Sequence, residues 1–188
     1  RTFTESGSTE VDGDSVIEIY FYGEGNDNSV AKNQIGTFKN SAITKGGFYI
    51  GRFEQGTWNV CKKNVEPYVG VTLDRAKVQA ETMYDGNKYV TSELISSYAW
   101  DTALNFMCQN SEQGYKLSIT TGKLFGNMYT KKKELTGMYT ADKYSNIHDI
   151  LGNCWEWTTE YYSGPSGPSV PRGGYCYSYS TYASYRYH

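Results

Sequence analysis

The chain has 188 residues, a formal net charge of −2, 38% hydrophobic residues and 20% charged residues. That length holds one domain with a sizeable core, and that composition is neither disordered nor fibrous. The near-neutral charge gives no general attraction to nucleic acid or an anionic membrane, and no apolar run reaches transmembrane length.

The chain opens at Arg1 without a methionine, so a preceding native segment, including any signal peptide, is expected. Residues 1–15 are polar and without period, and read as an arm. Val16 to Tyr22 are β-branched and aromatic and are closed by Gly23, the pattern of a strand. Residues 23–46 are rich in Gly, Asn, Asp and Lys and read as a long connection. Residues 1–46 are thus an arm and strand lead-in, and residues 47–188 the domain proper. Within that domain, Gly47 to Glu54 reads as a second strand.

Two helices follow. Thr72 can cap the first, with Leu73, Ala76, Ala80 and Met83 on one face. The second starts near Ser96 or Ser97, where Trp100, Ala103, Leu104, Met107 and Cys108 form an apolar stripe read as core. Residues 109–145 are polar and show little pattern. They include Lys131-Lys132-Lys133, read as a solvated loop because no aromatic residues interleave with it. The C-terminal third has short aromatic segments separated by Gly and Pro, as in antiparallel strands and turns.

The four cysteines, Cys61, Cys108, Cys154 and Cys176, are widely spaced and form no CxxC pair. They read as buried free thiols or as one disulfide with two free thiols. No phosphate-binding Gly-rich loop, GxSxG or HExxH occurs.

Several segments match a family pattern in order. Phe48 to Glu54 is similar to an entry strand written F-x-I-G-x-x-E. Val71-Thr72 before Ala76 is similar to a V-T-x-x-x-A helix, and Ser97-Tyr98-Ala99-Trp100-Asp101 to the opening of a second helix. Asn146 to Trp157 resembles an N-x-x-D step followed by GN-x-W-E-W, and Arg172-Gly173-Gly174 an RGG step. By these five stations, spanning residues 47–174, the chain resembles the formylglycine-generating-enzyme (sulfatase-modifying-factor) family. The resemblance implies an α+β, C-type-lectin-like fold of that type, with two helices, short antiparallel strands and long loops. It also implies a closing G-F-R strand beyond His188. In the signature, Trp155 and Trp157 are expected to anchor the core from one face, with Glu156 on the other.

The best-known relatives are copper-dependent oxidases that use a cysteine pair after the GG step. This chain has only Cys176 there, and one thiolate is a poor Cu(I) site. An iron-dependent sulfoxide-synthase relative needs a histidine cluster, whereas His148 and His188 are the only histidines. No enzymatic activity is expected. A structural calcium is also implied, with Asp149, the carbonyls of Gly152 and Cys154, and Glu156 as its ligands. The alternative is a hydrogen-bonded turn without an ion.

The tail has a distinct composition. Residues 175–188 include six tyrosines and three serines, and Arg186 is their only formal charge. Tyrosine provides rigid amphipathic contact area and serine provides adaptable hydrogen bonding, as in antibody paratopes. On a strand, Tyr175, Tyr177 and Tyr179 would share one face. The tail resembles the variable region of proteins diversified by retroelements, in which template adenines are mutated during reverse transcription. The implied variable region is 172–188. Its binding residues would be Tyr175, Tyr177, Ser178, Tyr179, Ser180, Tyr182, Tyr185, Tyr187 and His188. The implied partner is a macromolecule, protein rather than glycan, since the Glu-Pro-Asn and Gln-Pro-Asp sugar signatures are missing. The implied setting is a bacterial surface or a phage virion. The alternatives are a tyrosine-rich core edge in a non-diversified structural member of the same family, or a copper oxidase.

Overall fold

A computed structural model describes residues 8–9, 17–18, 38, 40–110, 127, 130–140, 143–160 and 170–177, with the backbone alone at 8–9, 17–18, 105 and 108–110. Four elements have both ends among the described residues. Strands β1 (Ser8–Thr9) and β2 (Ile17–Glu18) pair antiparallel, Ser8 opposite Glu18 and Thr9 opposite Ile17. Helix α1 spans Leu73–Thr82 and helix α2 spans Ser97–Asn110. None of the described helices is long and apolar enough to cross a membrane.

Helix α1 starts where the sequence places it. The Thr72 hydroxyl accepts a hydrogen bond from the Arg75 N–H at 3.3 Å, satisfying a backbone donor that the first turn leaves unpaired. Ala76 and Ala80 are buried, whereas Leu73 and Met83 are only partly covered. Helix α2 is capped in the same way, by Ser96 Oγ accepting from the Ala99 N–H at 3.2 Å. Its stripe is core: Trp100, Leu104 and Met107 pack with Tyr144, Ile147, Ile150 and Leu151, and Ile50 and Ile95 close the edges. Burying each large aliphatic side chain of this kind contributes about 1.5–3 kcal/mol.

Two expectations are corrected. Residues 47–54 do not form a strand. Their backbone groups bond singly to separate loops: the Arg52 carbonyl accepts from the His148 N–H at 2.8 Å, and the Phe53 carbonyl from the Cys61 thiol at 3.0 Å. Phe48 and Tyr49 are exposed. Among the described residues no single strand neighbours this run, so its β-prone side chains gain no ladder there. The supposed connection before it contains helical backbone at residues 40–45, ended by Gly46 and Gly47 at φ of 74° and 133°. Of the strand expected over 16–22, Ile17–Glu18 is β2; residues 16 and 19–22 lie outside the described residues, as does most of 109–129.

The described C-terminal segments hold together by short pairings. The Glu156 and Arg172 backbones exchange hydrogen bonds at 3.1 and 2.9 Å, and the Gly152 N–H donates to the Gly173 carbonyl at 2.9 Å. Gly152 takes φ of 87°, a conformation that side-chain-bearing residues avoid. Residues 152–156 and 172–173 thus lie side by side, next to α2.

Candidate functional site

The turn at residues 149–156 is the centre of the described C-terminal region, and the Asn153 side chain organises it. Its Oδ1 accepts from Asn127 Nδ2 and from the Glu134 N–H, each at 2.8 Å. Its Nδ2 donates to Glu54 Oε2 at 2.6 Å and to the Glu134 carbonyl at 3.2 Å. The Cys154 N–H donates to Glu54 Oε1 at 3.1 Å, so one carboxylate from the 47–54 segment fastens two consecutive residues of the turn. Asn153 itself sits at φ of 55°, where asparagine is better tolerated than most residues.

Three carboxyl groups share this neighbourhood. Burial pushes Glu54 well above the usual carboxylate range, and the nearby charge of Asp149 adds to it. Glu156 is raised in the same direction, by burial first and then by Glu54 and Asp149. Asp149 is raised by burial, while its Oδ2 accepts from the Gly137 N–H at 2.6 Å. Glu156 therefore does not meet water on the outer face of a strand. Its Oε2 is buried, without a hydrogen-bond partner, against Gly173, where a Cβ would collide with it.

Asp149 and Glu156 are the side-chain donors of the implied calcium set, and Gly152 and Cys154 would contribute carbonyls. The orphaned Glu156 Oε2 suits a cation. Asp149 Oδ2, by contrast, already has a backbone donor, and among the described residues no three His, Cys, Asp or Glu side chains group to hold a metal.

The cysteines are free thiols at Cys61, Cys154 and Cys176. Burial raises both Cys154 and Cys176 above the ordinary thiol value, so neither is a poised thiolate nucleophile.

Trp155 and Trp157, expected to anchor the core, are each half-buried. Trp157 Nε1 donates to the Val71 carbonyl at 3.0 Å, fixing the turn to the entry of α1. The Trp155 ring faces the tail instead: it stacks on Tyr175 with centroids 5.7 Å apart, and Tyr175 lies 5.9 Å from Tyr177. The described start of the tail alternates. Tyr175 is 39% exposed and Tyr177 is 50% exposed, whereas Cys176 between them is 4% exposed. Its backbone is pinned on both sides, the Cys176 N–H donating to the Asn153 carbonyl at 3.1 Å and its carbonyl accepting from the Lys131 N–H at 3.2 Å. Ser178, Tyr179, Ser180, Tyr182, Tyr185, Tyr187 and His188 lie outside the described residues.

One contact was not read from the sequence. Arg172, fully buried, forms an ion pair with Asp101 of α2 at 2.5 Å, and its guanidinium lies 5.8 Å from the centre of the Trp100 ring. The available signal was an aspartate set beside an apolar helical stripe, together with an arginine just ahead of two glycines. Buried charges of this kind need a partner of opposite sign.

No protein-family model, curated protein or solved structure matches the chain.

Proposed function

We propose that this chain is a ligand-binding protein that displays a Tyr/Ser-rich, retroelement-diversified surface on a C-type-lectin-like scaffold of the formylglycine-generating-enzyme type. The observation that carries the reading is the alternation at Tyr175, Cys176 and Tyr177: exposed phenols on either side of a buried residue whose backbone is bonded in both directions. A surface that tolerates sequence change needs side chains that support no core on a chain held by its main-chain groups. Trp155 stacks on Tyr175, which in turn neighbours Tyr177, and extends the aromatic surface.

Contacts between the sequence stations support the scaffold reading. Glu54 of the entry segment meets Asn153 and Cys154 of the GN-x-W-E-W step. Asp101 of the second-helix opening meets Arg172 of the RGG step, and Trp157 meets Val71 of the first-helix step. Together with the Glu156–Arg172 backbone pairing, these contacts link all five segments picked out separately along the chain.

The ligand we propose is a protein on another cell or particle, with this chain on a bacterial surface or phage virion. Deep sequencing of the 3′ end of the gene across a population tests the reading. Substitutions concentrated in the codons of 175–188, at positions matching adenines of a nearby template copy, are expected. An invariant tail, or changes spread evenly over the gene, would overturn diversification. The copper-oxidase alternative predicts formylglycine formation in sulfatase-type peptides with Cu(I), abolished by Cys176→Ser; we expect no turnover.

A further inference from the structure

Two adjoining segments near the start of the domain combine exposed aromatic rings with exposed cations. Residues 48–53 and 58–63 meet where the Cys61 thiol donates to the Phe53 carbonyl at 3.0 Å, and a Cβ at Gly51 would lie 3.0 Å from the same sulfur. The first segment exposes Phe48, Tyr49 and Arg52, and the second exposes Trp58, Lys62 and Lys63. Arg52 is set in place by its Nε, which donates to the Asn146 carbonyl at 3.1 Å. The only acid between residues 48 and 63 is Glu54, which is turned inward onto Asn153 and Cys154. Two acids on the loops alongside are already matched, Glu66 by Lys133 at 3.1 Å and Glu134 by Lys132 at 3.5 Å.

Trp58 is displayed at a conformational cost. It lies in the turn that the Gly56 N–H closes on the Val60 carbonyl at 2.7 Å, and its φ is 68°. Bulky side chains avoid this left-handed region, whereas asparagine, such as Asn59 beside it at φ of 57°, tolerates it better. Core packing does not account for the indole, because Trp58 is 92% exposed. Strained backbone of this kind gathers at ligand contacts.

Exposed rings and cations meet together at the surface of a bilayer. Trp and Tyr sit at headgroup level there, and Lys and Arg lay their stems along apolar surface while their charges reach lipid phosphates. A single-stranded nucleic acid also takes rings and cations, but it needs rings set as successive stacking platforms along a charged groove. An indole at the tip of a tight turn suits shallow insertion into a fluid interface instead. The net charge of −2 gives the whole chain no attraction to anions, so the attraction belongs to this face.

We propose that residues 48–63 form a face that docks on an anionic phospholipid bilayer. Trp58 and Tyr49 enter the interface, and Arg52, Lys62 and Lys63 meet the lipid phosphates. This face does not include Tyr175 or Tyr177, and the proposal does not rest on the diversified-tail reading.

Vesicle co-sedimentation and tryptophan emission of the 188-residue chain test it. The probes are vesicles of phosphatidylcholine alone and of phosphatidylcholine mixed with phosphatidylglycerol. Binding to the anionic vesicles is expected at least about tenfold tighter than to the neutral ones, with a blue-shifted emission, and weaker as salt rises. Lys62→Gln and Lys63→Gln together should weaken it about 25-fold, at about fivefold for each charge. Trp58→Asn should weaken it about tenfold and remove most of the blue shift. The melting temperature of that variant should stay level or rise, since asparagine suits the φ at 58. No binding to the anionic vesicles overturns the proposal. So does equal binding to both kinds of vesicle, which would leave the cations no role, or binding undiminished in either variant, which would place the contact elsewhere. A Trp58→Asn variant that melts well below the wild type would make the indole part of the fold and overturn its display. Binding of a single-stranded oligonucleotide with none to the vesicles would assign the face to nucleic acid and overturn the proposal equally.

Discussion

Arg172 and Asp101 stand 71 residues apart and form a buried ion pair at 2.5 Å that ties the segment leading into the tail to the first turns of α2. Removing one partner leaves the other charge buried. Arg172→Met or Asp101→Leu alone should therefore lower stability by about 3–5 kcal/mol, whereas the double replacement should recover much of that loss. Urea denaturation of the two single variants and the double variant checks this. Additive losses would mean that the two side chains act independently.

Tyr175 and Tyr177 should behave in the opposite way. Tyr175→Ser and Tyr177→Ser are each expected to change stability by no more than about 0.5 kcal/mol, the usual range for exposed substitutions, with Tyr175 at the upper end because it stacks on Trp155. Thermal denaturation measures this directly. Losses of several kcal/mol at both positions would make the tyrosines part of the core and leave the binding surface without support.

Acidity should stabilise the fold through Glu54 and Glu156. Both carboxyls have folded-state values raised well above the ordinary 4.5. A raised acid binds its proton more readily in the folded chain, so its contribution is fully present below the unfolded value and is lost as pH rises through the folded one. The melting temperature should accordingly fall as pH rises from near 4.5 towards neutrality, and Glu156→Gln should flatten that slope. A melting temperature that rises through the same window in the wild type would contradict the burial of these groups.

Calcium has a linkage test of its own. If Asp149 and Glu156 hold the ion, millimolar Ca²⁺ raises the melting temperature and Glu156→Ala abolishes the rise. A flat response in the wild type would mean that Glu54 and Asn153 close the turn by hydrogen bonds alone.

The features legible in the sequence are the local ones. Thr72 and the Ala76/Ala80 spacing mark α1 because a cap and a 3.6-residue period involve only neighbouring residues. The stripe from Trp100 to Met107 marks α2 for the same reason. The turn at 149–156 was legible through Gly152 and Asn153, both at positive φ. The reading failed where partners are distant. The 47–54 run has strand composition, but nothing in it announces that Glu54 closes a turn 99 residues away. Trp155 and Trp157 alternate as core residues do, yet one reaches Val71 and the other faces Tyr175, and neither is fully covered. Alternation placed Glu156 on the face opposite the tryptophans but could not show that Gly173 approaches its carboxyl.

The anchoring of Cys176 sets a rule for what can be written into the tail. Both of its hydrogen bonds use main-chain atoms, so they are indifferent to the side chain. Nineteen amino acids keep the N–H that Asn153 receives; proline alone lacks it. The buried pocket around the thiol narrows the alphabet further, to small residues. A designer randomising this segment would leave 176 as a fixed peg, or offer it only alanine, serine and cysteine, and let 175 and 177 run through every residue without moving the loop that carries them.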